Sequence, residues 1–76
     1  MDPLQKLQAI FRECFDDPAL AIAPETSPET LAGWDSVAQI QIVLAVEEAF
    51  DMRFTTDQVA RLHSVGDILR ILADLA

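Results

Sequence analysis

Apolar side chains recur at helical spacing in three stretches of the chain. An amphipathic helix places apolar residues at i, i+3, i+4 and i+7, whereas a half-buried strand alternates apolar and polar residues. The first stretch contains Leu4, Leu7, Ile10, Phe11 and Cys14. The second runs from about residue 36 to 50, and the last contains Val65, Ile68, Leu69, Leu72 and Leu75. No stretch alternates over the length of a strand, so the pattern predicts an all-α fold.

Helix-start signals divide this pattern into four helices. The sequence Thr-Thr-Asp-Gln at 55–58 has the spacing of a capping box, which predicts a short third helix that ends near Leu62. The first helix opens at Asp2 and the last at Ser64, where residues suited to helix caps occur. We therefore predict a small four-helix bundle, with three main helices and one short helix, in one domain of residues 1–76.

The segment 16–34 between the first two helices lacks helical periodicity and contains three prolines among Ser, Thr and Glu. Loops of this length are uncommon in compact domains and are usually either functional or disordered. Two short apolar patches, at 20–22 and 31–32, can pin the segment to the core. We expect an ordered crossover and call residues 16–34 the crossover loop.

The second helix has more apolar positions than one buried face needs. At about 100° per residue, with Ser36 at zero, a wide arc from roughly 180° to 340° holds the expected core face. Its members are Ile42, Val43, Ala45, Val46, Ala49 and Phe50. A second, narrow stripe holds Val37, Ile40 and Leu44, with Glu47 on one flank and Gln41 and Glu48 on the other. We call Val37, Ile40 and Leu44 the outer stripe. Three interpretations are open. The crossover loop covers the stripe, or a partner docks on it, since exposed apolar residues with a polar rim mark interaction sites. In the third, the loop covers it in part and the stripe doubles as an entrance to the core.

The charge of the chain limits its partners. Thirteen acidic residues against five basic ones give a formal net charge of −8. Such a chain is repelled by nucleic-acid phosphates and by anionic membrane surfaces. The acid excess favours basic protein partners instead. We expect no nucleic-acid partner and a monomeric protein.

The single cysteine, Cys14, cannot form an internal disulfide, which is typical of a reducing, cytoplasmic setting. It lies on an apolar stripe, so we expect a buried, inert thiol. The N-terminal sequence lacks the pattern of a signal peptide, and no apolar run is long enough for a membrane span.

Ser36 stands at the start of the second helix and has several possible roles. It is suited to be an N-cap, with Gln39 completing a capping box. A catalytic serine needs a base, but no motif couples His63 to it, and we expect His63 to be an exposed junction residue. No metal-ligand spacing is present, so we predict neither an enzyme nor a metal site. A hydroxyl at a helix N-terminus is also a favourable place for a phosphodiester, with Asp35 beside it for a modifying enzyme.

The sequence Gly-Trp-Asp-Ser-Val at 33–37 resembles the Asp-Ser-Leu attachment motif of acyl carrier proteins. The resemblance continues through "VLAVEEAF", the following "D-MRF", the short third helix and "SVGDIL", and covers essentially the whole chain. It implies a stand-alone carrier domain with a long loop between helices one and two. It also implies that a phosphopantetheinyl transferase moves 4′-phosphopantetheine from coenzyme A onto Ser36, so that the thiol carries acyl groups as thioesters.

The resemblance further implies that acyl-transferring and acyl-modifying enzymes with basic patches dock on the second helix. The residues that match the family's docking helix are Val37, Ile40, Gln41, Leu44, Glu47 and Glu48. Val43, Val46 and Phe50 match the interior that can shelter an acyl chain.

The chain departs from housekeeping fatty-acid carriers at Ala38 and Gln41, where those proteins usually have acids. Val37 replaces the usual leucine. Because charge sets association rate and partner choice, we expect a specialised carrier that serves a modified lipid, a polyketide or another secondary product. Two alternatives stay open: an aminoacyl or peptidyl carrier, and a non-catalytic interaction module with an unmodified Ser36.

Overall fold

A computed structural model describes residues 2–75, without the side chain of Leu75. Met1 and Ala76 of the predicted domain, and the Leu75 side chain of the last stripe, lie outside the described residues. Between residues 2 and 75 the chain forms helices and no strand, which confirms the predicted all-α fold. The helices are α1 (Pro3–Cys14), α2 (Ser36–Phe50), α3 (Thr56–Ala60) and α4 (Val65–Leu75).

Capping side chains set the helix starts. The carboxylate of Asp2 accepts a hydrogen bond from the backbone N–H of Leu4 at 3.1 Å, and Pro3 occupies the first turn of α1. Thr55 and Gln58 form the predicted capping box of α3, with reciprocal hydrogen bonds of 3.1 and 2.9 Å. Each cap satisfies amide groups that have no partner within the helix.

The core combines the apolar faces of α1, α2 and α4. Phe11 lies at its centre and packs edge-to-face on Trp34, with ring centroids 5.2 Å apart. Lys6 adds a link between α1 and α2, because its ammonium group lies 4.6 Å from the Phe50 ring centroid. The buried residues are Leu7, Ile10, Phe11, Ile22, Trp34, Ala38, Ile42, Val43, Val46, Leu62, Val65 and Ile68.

The crossover loop is ordered, as predicted, and hydrogen bonds tie it to two helices. On α1, the Gln8 side chain accepts from the backbone N–H of Ile22 at 3.0 Å, and Arg12 donates to the Leu20 carbonyl at 2.6 Å. On α4, the Val65 and Gly66 N–H groups donate to loop carbonyls at 2.8 and 2.7 Å. The buried Ile22 side chain anchors the loop in the core. The loop therefore packs across α1 and the start of α4.

No helix within residues 2–75 has the length and apolar character needed to cross a membrane.

Candidate functional site

The entrance to α2 is a tight turn that ends in a capped helix. Gly33 has a φ of +93°, and its carbonyl accepts a hydrogen bond from the Asp35 N–H at 2.9 Å. Asp35 is the N-cap, since its carboxylate accepts from the backbone N–H of Ala38 at 2.9 Å. The interpretation of Ser36 as N-cap is therefore wrong. Like Ser36, Asp35 has a side-chain oxygen that can accept a hydrogen bond from the first turn. Asp35 precedes Ser36 in the chain and takes the cap position, so Ser36 is the first helical residue.

This arrangement leaves Ser36 exposed at the positive end of the α2 dipole. Its hydroxyl has no hydrogen-bond partner within residues 2–75, so it is not committed to a cap. Asp35 is exposed as well, next to Ser36, and it uses one carboxylate oxygen for the cap. A serine placed in this way can accept a phosphodiester, whose charge the helix N-terminus favours.

Gln39 does not complete a capping box at Ser36 but links three parts of the structure. Its side-chain oxygen accepts from Trp34 Nε1 at 2.7 Å, and its Nε2 donates to the Leu62 carbonyl at 3.4 Å. The turn before Ser36 is thereby joined to the end of α3. The partner of Gln39 at position 62 is 23 residues away, so no local sequence pattern could reveal this contact.

The outer stripe faces solvent. Val37, Ile40 and Leu44 are 64%, 59% and 59% exposed. The crossover loop packs on α1 and α4 and does not cover them, so the interpretation that the loop covers this face is wrong. Beside it, Val43 and Val46 are buried and Phe50 is half-buried, as expected for the inner face of α2. The assignment of Ala49 to the core face is wrong, because Ala49 is exposed and borders the groove between α1 and α2.

The polar rim of the outer stripe is less uniform than predicted. Gln41 and Glu48 are exposed. Glu47 is half-buried, and its carboxylate accepts a hydrogen bond from the backbone N–H of Phe54 at 2.9 Å. Ala38 is buried, so its departure from the family pattern changes the packing beneath the stripe rather than the surface. Of the two positions where housekeeping carriers usually have acids, Gln41 is therefore the one that a partner would meet.

The remaining candidate residues lie outside this entrance. Cys14 is half-buried rather than buried, because it borders a groove between α1 and α2. Burial first, and the charge of Glu13 second, raise the pKa of its thiol. His63 is exposed at the junction before α4, as predicted. Within residues 2–75, no cluster of three or more His, Cys, Asp or Glu side chains is arranged to hold a metal ion.

Comparison with known proteins agrees with this geometry. The model of the phosphopantetheine attachment site family matches residues 5–72. The acyl carrier proteins of Helicobacter pylori strains 26695 and J99 are each 26% identical over 70 residues, which is 92% of this chain and 90% of theirs. The solution NMR structure of the holo acyl carrier protein from Geobacter metallireducens superposes with a TM-score of 0.87 at 28% identity. That match covers 97% of this chain and 85% of the other.

The chain belongs to the phosphopantetheine attachment site family. The resemblance to acyl carrier proteins and the four-helix fold are confirmed, and the prosthetic group of the family is phosphopantetheine.

Proposed function

We propose that this chain is an acyl carrier protein that bears 4′-phosphopantetheine on Ser36. The observation that carries the proposal is the exposed, uncommitted Ser36 hydroxyl at the first position of α2, in a chain that matches the attachment-site family over residues 5–72. Such a carrier is not itself an enzyme. When bound, the group supplies a thiol that holds an acyl chain as a thioester, and other proteins perform the chemistry.

The residues of the chain present the attachment serine and stabilise its phosphodiester. Asp35 holds the first turn of α2 closed through the Ala38 N–H, which keeps Ser36 at the positive end of the helix. Ser36 lies on the surface, so a phosphopantetheinyl transferase can reach its hydroxyl without unfolding the helix. The Asp35 carboxylate is exposed beside it and is available to the transferase or to a metal ion that the transferase holds.

Partners dock on the outer stripe and on the charged end of α2. The stripe is an exposed apolar surface with a polar rim, and such surfaces are typical of interaction sites. Glu48 supplies an exposed negative charge at its edge, whereas Glu47 is held by the Phe54 N–H and contributes mainly to the local structure. The preferred partners are the transferase and acyl-handling enzymes that combine apolar side chains with basic groups.

We further propose a specialised carrier that works as a monomer in the cytoplasm. Gln41 removes one exposed charge from the middle of the docking helix, which shifts its negative charge towards Glu48 and Asp51 at the end of α2. A charge pattern of this kind changes association rates with partners built for an evenly acidic helix. Housekeeping fatty-acid synthases should therefore elongate acyl groups on this protein less efficiently than on their usual carrier. Equal efficiency would contradict the specialised assignment.

The carrier assignment is tested by transferring phosphopantetheine onto the purified protein. The purified protein is incubated with a broad-specificity phosphopantetheinyl transferase and coenzyme A, and its intact mass is measured. We expect a gain of one phosphopantetheine that Ser36→Ala abolishes. The matched control is Ser27→Ala, which removes a hydroxyl in the crossover loop and should leave the gain unchanged.

Two results separate the remaining functions. No gain with several transferases would contradict the carrier assignment and favour an interaction module with an unmodified serine. If the gain occurs, thioesters isolated from the native cell identify the cargo, and aminoacyl thioesters would favour the aminoacyl or peptidyl carrier.

A further inference from the structure

A groove lies on the surface between α1 and α2, with a volume of about 570 Å³. We call it the α1–α2 groove. Its floor is apolar, because Ile10 of α1 and Ala45 and Ala49 of α2 line it. The two alanines leave open space beside the buried Ile10 that larger side chains would fill. The groove therefore has room for a side chain of another protein.

Two carboxylates border the α1–α2 groove, one on each helix. Glu13 belongs to α1 and Glu48 to α2, and both residues are exposed. The ion pairs within residues 2–75 lie in or beside α3 and α4, so no basic side chain in that part of the chain neutralises these two carboxylates. The fold thus leaves two negative charges beside an apolar floor.

The negative potential of Glu13 extends to the floor of the groove. Cys14 lines the groove as well, and burial first and the charge of Glu13 second raise the pKa of its thiol. On the α2 side, Gln41 adds a side-chain amide oxygen, which is a further acceptor. The α1–α2 groove therefore combines an apolar floor with acceptor groups from both helices.

We propose that the α1–α2 groove receives an arginine side chain of a partner protein, which makes α1 part of the docking surface. The methylene stem of arginine packs on the apolar floor while its charged head stays at the surface. The guanidinium presents several N–H donors in a rigid plane, which suits acceptors on both sides of a groove. Lysine has a compact, strongly hydrated ammonium group and matches such a set of acceptors less well.

Other occupants fit the α1–α2 groove less well. An acyl chain would cover the two carboxylates without neutralising them, which costs free energy. A second copy of the chain would bring another net charge of −8 against the same surface. A metal ion needs more ligands, since no cluster of three or more His, Cys, Asp or Glu side chains is found within residues 2–75.

The α1–α2 groove adjoins the surface on which the proposed acyl-handling partners dock. Gln41 and Glu48 flank the outer stripe and also line the groove. A partner seated on the outer stripe therefore needs one long side chain to reach over α2 to α1. The inference rests on the docking surface proposed above. It adds a contact with α1 and a preference for arginine.

The test uses the full chain in its apo form and a small probe. Acetyl-arginine methylamide is titrated into ¹⁵N-labelled protein at constant ionic strength, and the backbone amides are followed by NMR. We expect the largest shifts around the groove, at Ile10, Cys14, Ala45 and Ala49. Acetyl-citrulline methylamide has a side chain of the same length with an uncharged planar head, and it should bind about tenfold more weakly. Equal affinity for the two probes would overturn the proposal.

A pair of glutamate variants tests the carboxylates. Glu13→Gln should weaken binding of the arginine probe by about fivefold, the upper worth of an exposed ion pair. Glu29→Gln makes the same change at an exposed position in the crossover loop, outside the groove, and should leave the affinity unchanged. Equal losses in the two variants would show that only net charge matters, which also contradicts the proposal.

Ala49→Leu tests the shape of the groove without changing its charge. Ala49 is exposed, so the variant should fold, and its larger side chain fills the floor. We expect the shifts at Ile10 and Cys14 to disappear, and shifts that persist there would refute binding in the groove. Shifts of the same amides with protein concentration alone would assign the groove to a second copy instead. Equally large shifts with Mg²⁺ at the same ionic strength would assign it to a cation.

This proposal and the carrier assignment fail differently. A chain that gains no phosphopantetheine refutes attachment at Ser36, whatever the groove binds. A chain that gains it but does not distinguish arginine from citrulline refutes only the arginine site beside α1.

Discussion

The carboxylate of Glu47 accepts a hydrogen bond from the backbone N–H of Phe54 across the turn that follows α2, at 2.9 Å. The same residue's backbone carbonyl accepts from the Met52 N–H at 3.0 Å. Asp51, with a φ of +51°, reverses the chain direction between Glu47 in α2 and the residues that follow the helix. Glu47 is thus attached to the turn through both its side chain and its main chain.

Glu47→Ala should therefore lower the free energy of unfolding by about 1–3 kcal/mol, because it leaves the Phe54 amide without its acceptor. Glu47→Gln keeps an acceptor oxygen and should cost less. The control is Glu48→Ala, which removes the same side chain at an exposed position and should change stability by less than about 0.5 kcal/mol. Urea titration checks all three. Equal effects of Glu47→Ala and Glu48→Ala would show that the hydrogen bond contributes nothing.

Gly33→Ala should destabilise the protein by about 1–3 kcal/mol, because an L-residue is strained at a φ of +93°. No atom lies within 4 Å of the position that a Cβ would take, so the cost comes from the backbone and not from a clash. D-Alanine adopts a positive φ without strain, so a synthetic chain with D-alanine at position 33 should be less destabilised than the L-alanine variant. Thermal unfolding distinguishes the two. Equal destabilisation by L- and D-alanine would point to a steric cause instead.

Leu44→Ala should weaken binding of the phosphopantetheinyl transferase without changing the free energy of unfolding. Leu44 is 59% exposed, so its truncation should change the free energy of unfolding by less than about 0.5 kcal/mol. Affinity for the phosphopantetheinyl transferase should fall by about tenfold if the outer stripe is the docking surface. Val46→Ala, on the buried face of the same helix, should instead cost about 2 kcal/mol of stability. Calorimetric titration and urea unfolding give the two readouts, and an unchanged affinity for Leu44→Ala would remove Leu44 from the interface.

Ionisation of the half-buried Cys14 thiol should destabilise the folded protein at alkaline pH. Burial, and secondarily Glu13, raise the pKa of Cys14 above its usual value of 9.0. The folded state therefore favours the protonated thiol, and its stabilising contribution is complete below pH 9.0. It is lost as the pH rises from there through the folded-state pKa. The difference in melting temperature between the natural chain and Cys14→Ala should be constant below pH 9.0 and change above it, with the natural chain losing stability. A difference that stays constant to higher pH would contradict the raised pKa.

The four helices were predictable because each has a local signal. The Thr55 and Gln58 pair marks the start of α3, and the spacing of apolar residues marks α1, α2 and α4. The two faces of α2 also follow from helical geometry alone. Whether the outer stripe is covered depends on where the crossover loop runs. That course is set by Gln8 and Arg12, whose hydrogen bonds join distant parts of the chain.

The sequence predicts Ser36 as the centre of the candidate site, but it does not predict which residue caps α2 or which groups Gln39 and Glu47 contact. Ser36 and Asp35 both carry cap-forming oxygens, so a local pattern cannot say which of them caps the helix. The structure assigns the cap to Asp35. The roles of Gln39 and Glu47 depend on backbone groups at positions 62 and 54, which the fold brings near. Contacts of that kind leave no periodic signature in the sequence.

The crossover loop supplies the hydrogen-bond acceptors for the first two backbone amides of α4. The Val65 N–H donates to the Thr26 carbonyl, and the Gly66 N–H donates to the Pro24 carbonyl. These two amides can exchange their protons with solvent only when the loop detaches from the helix. We therefore expect the loop and the start of α4 to open as one cooperative unit, although they are some forty residues apart along the chain. Hydrogen exchange at α4 consequently reports how often the loop that leads into the Ser36 turn leaves its place.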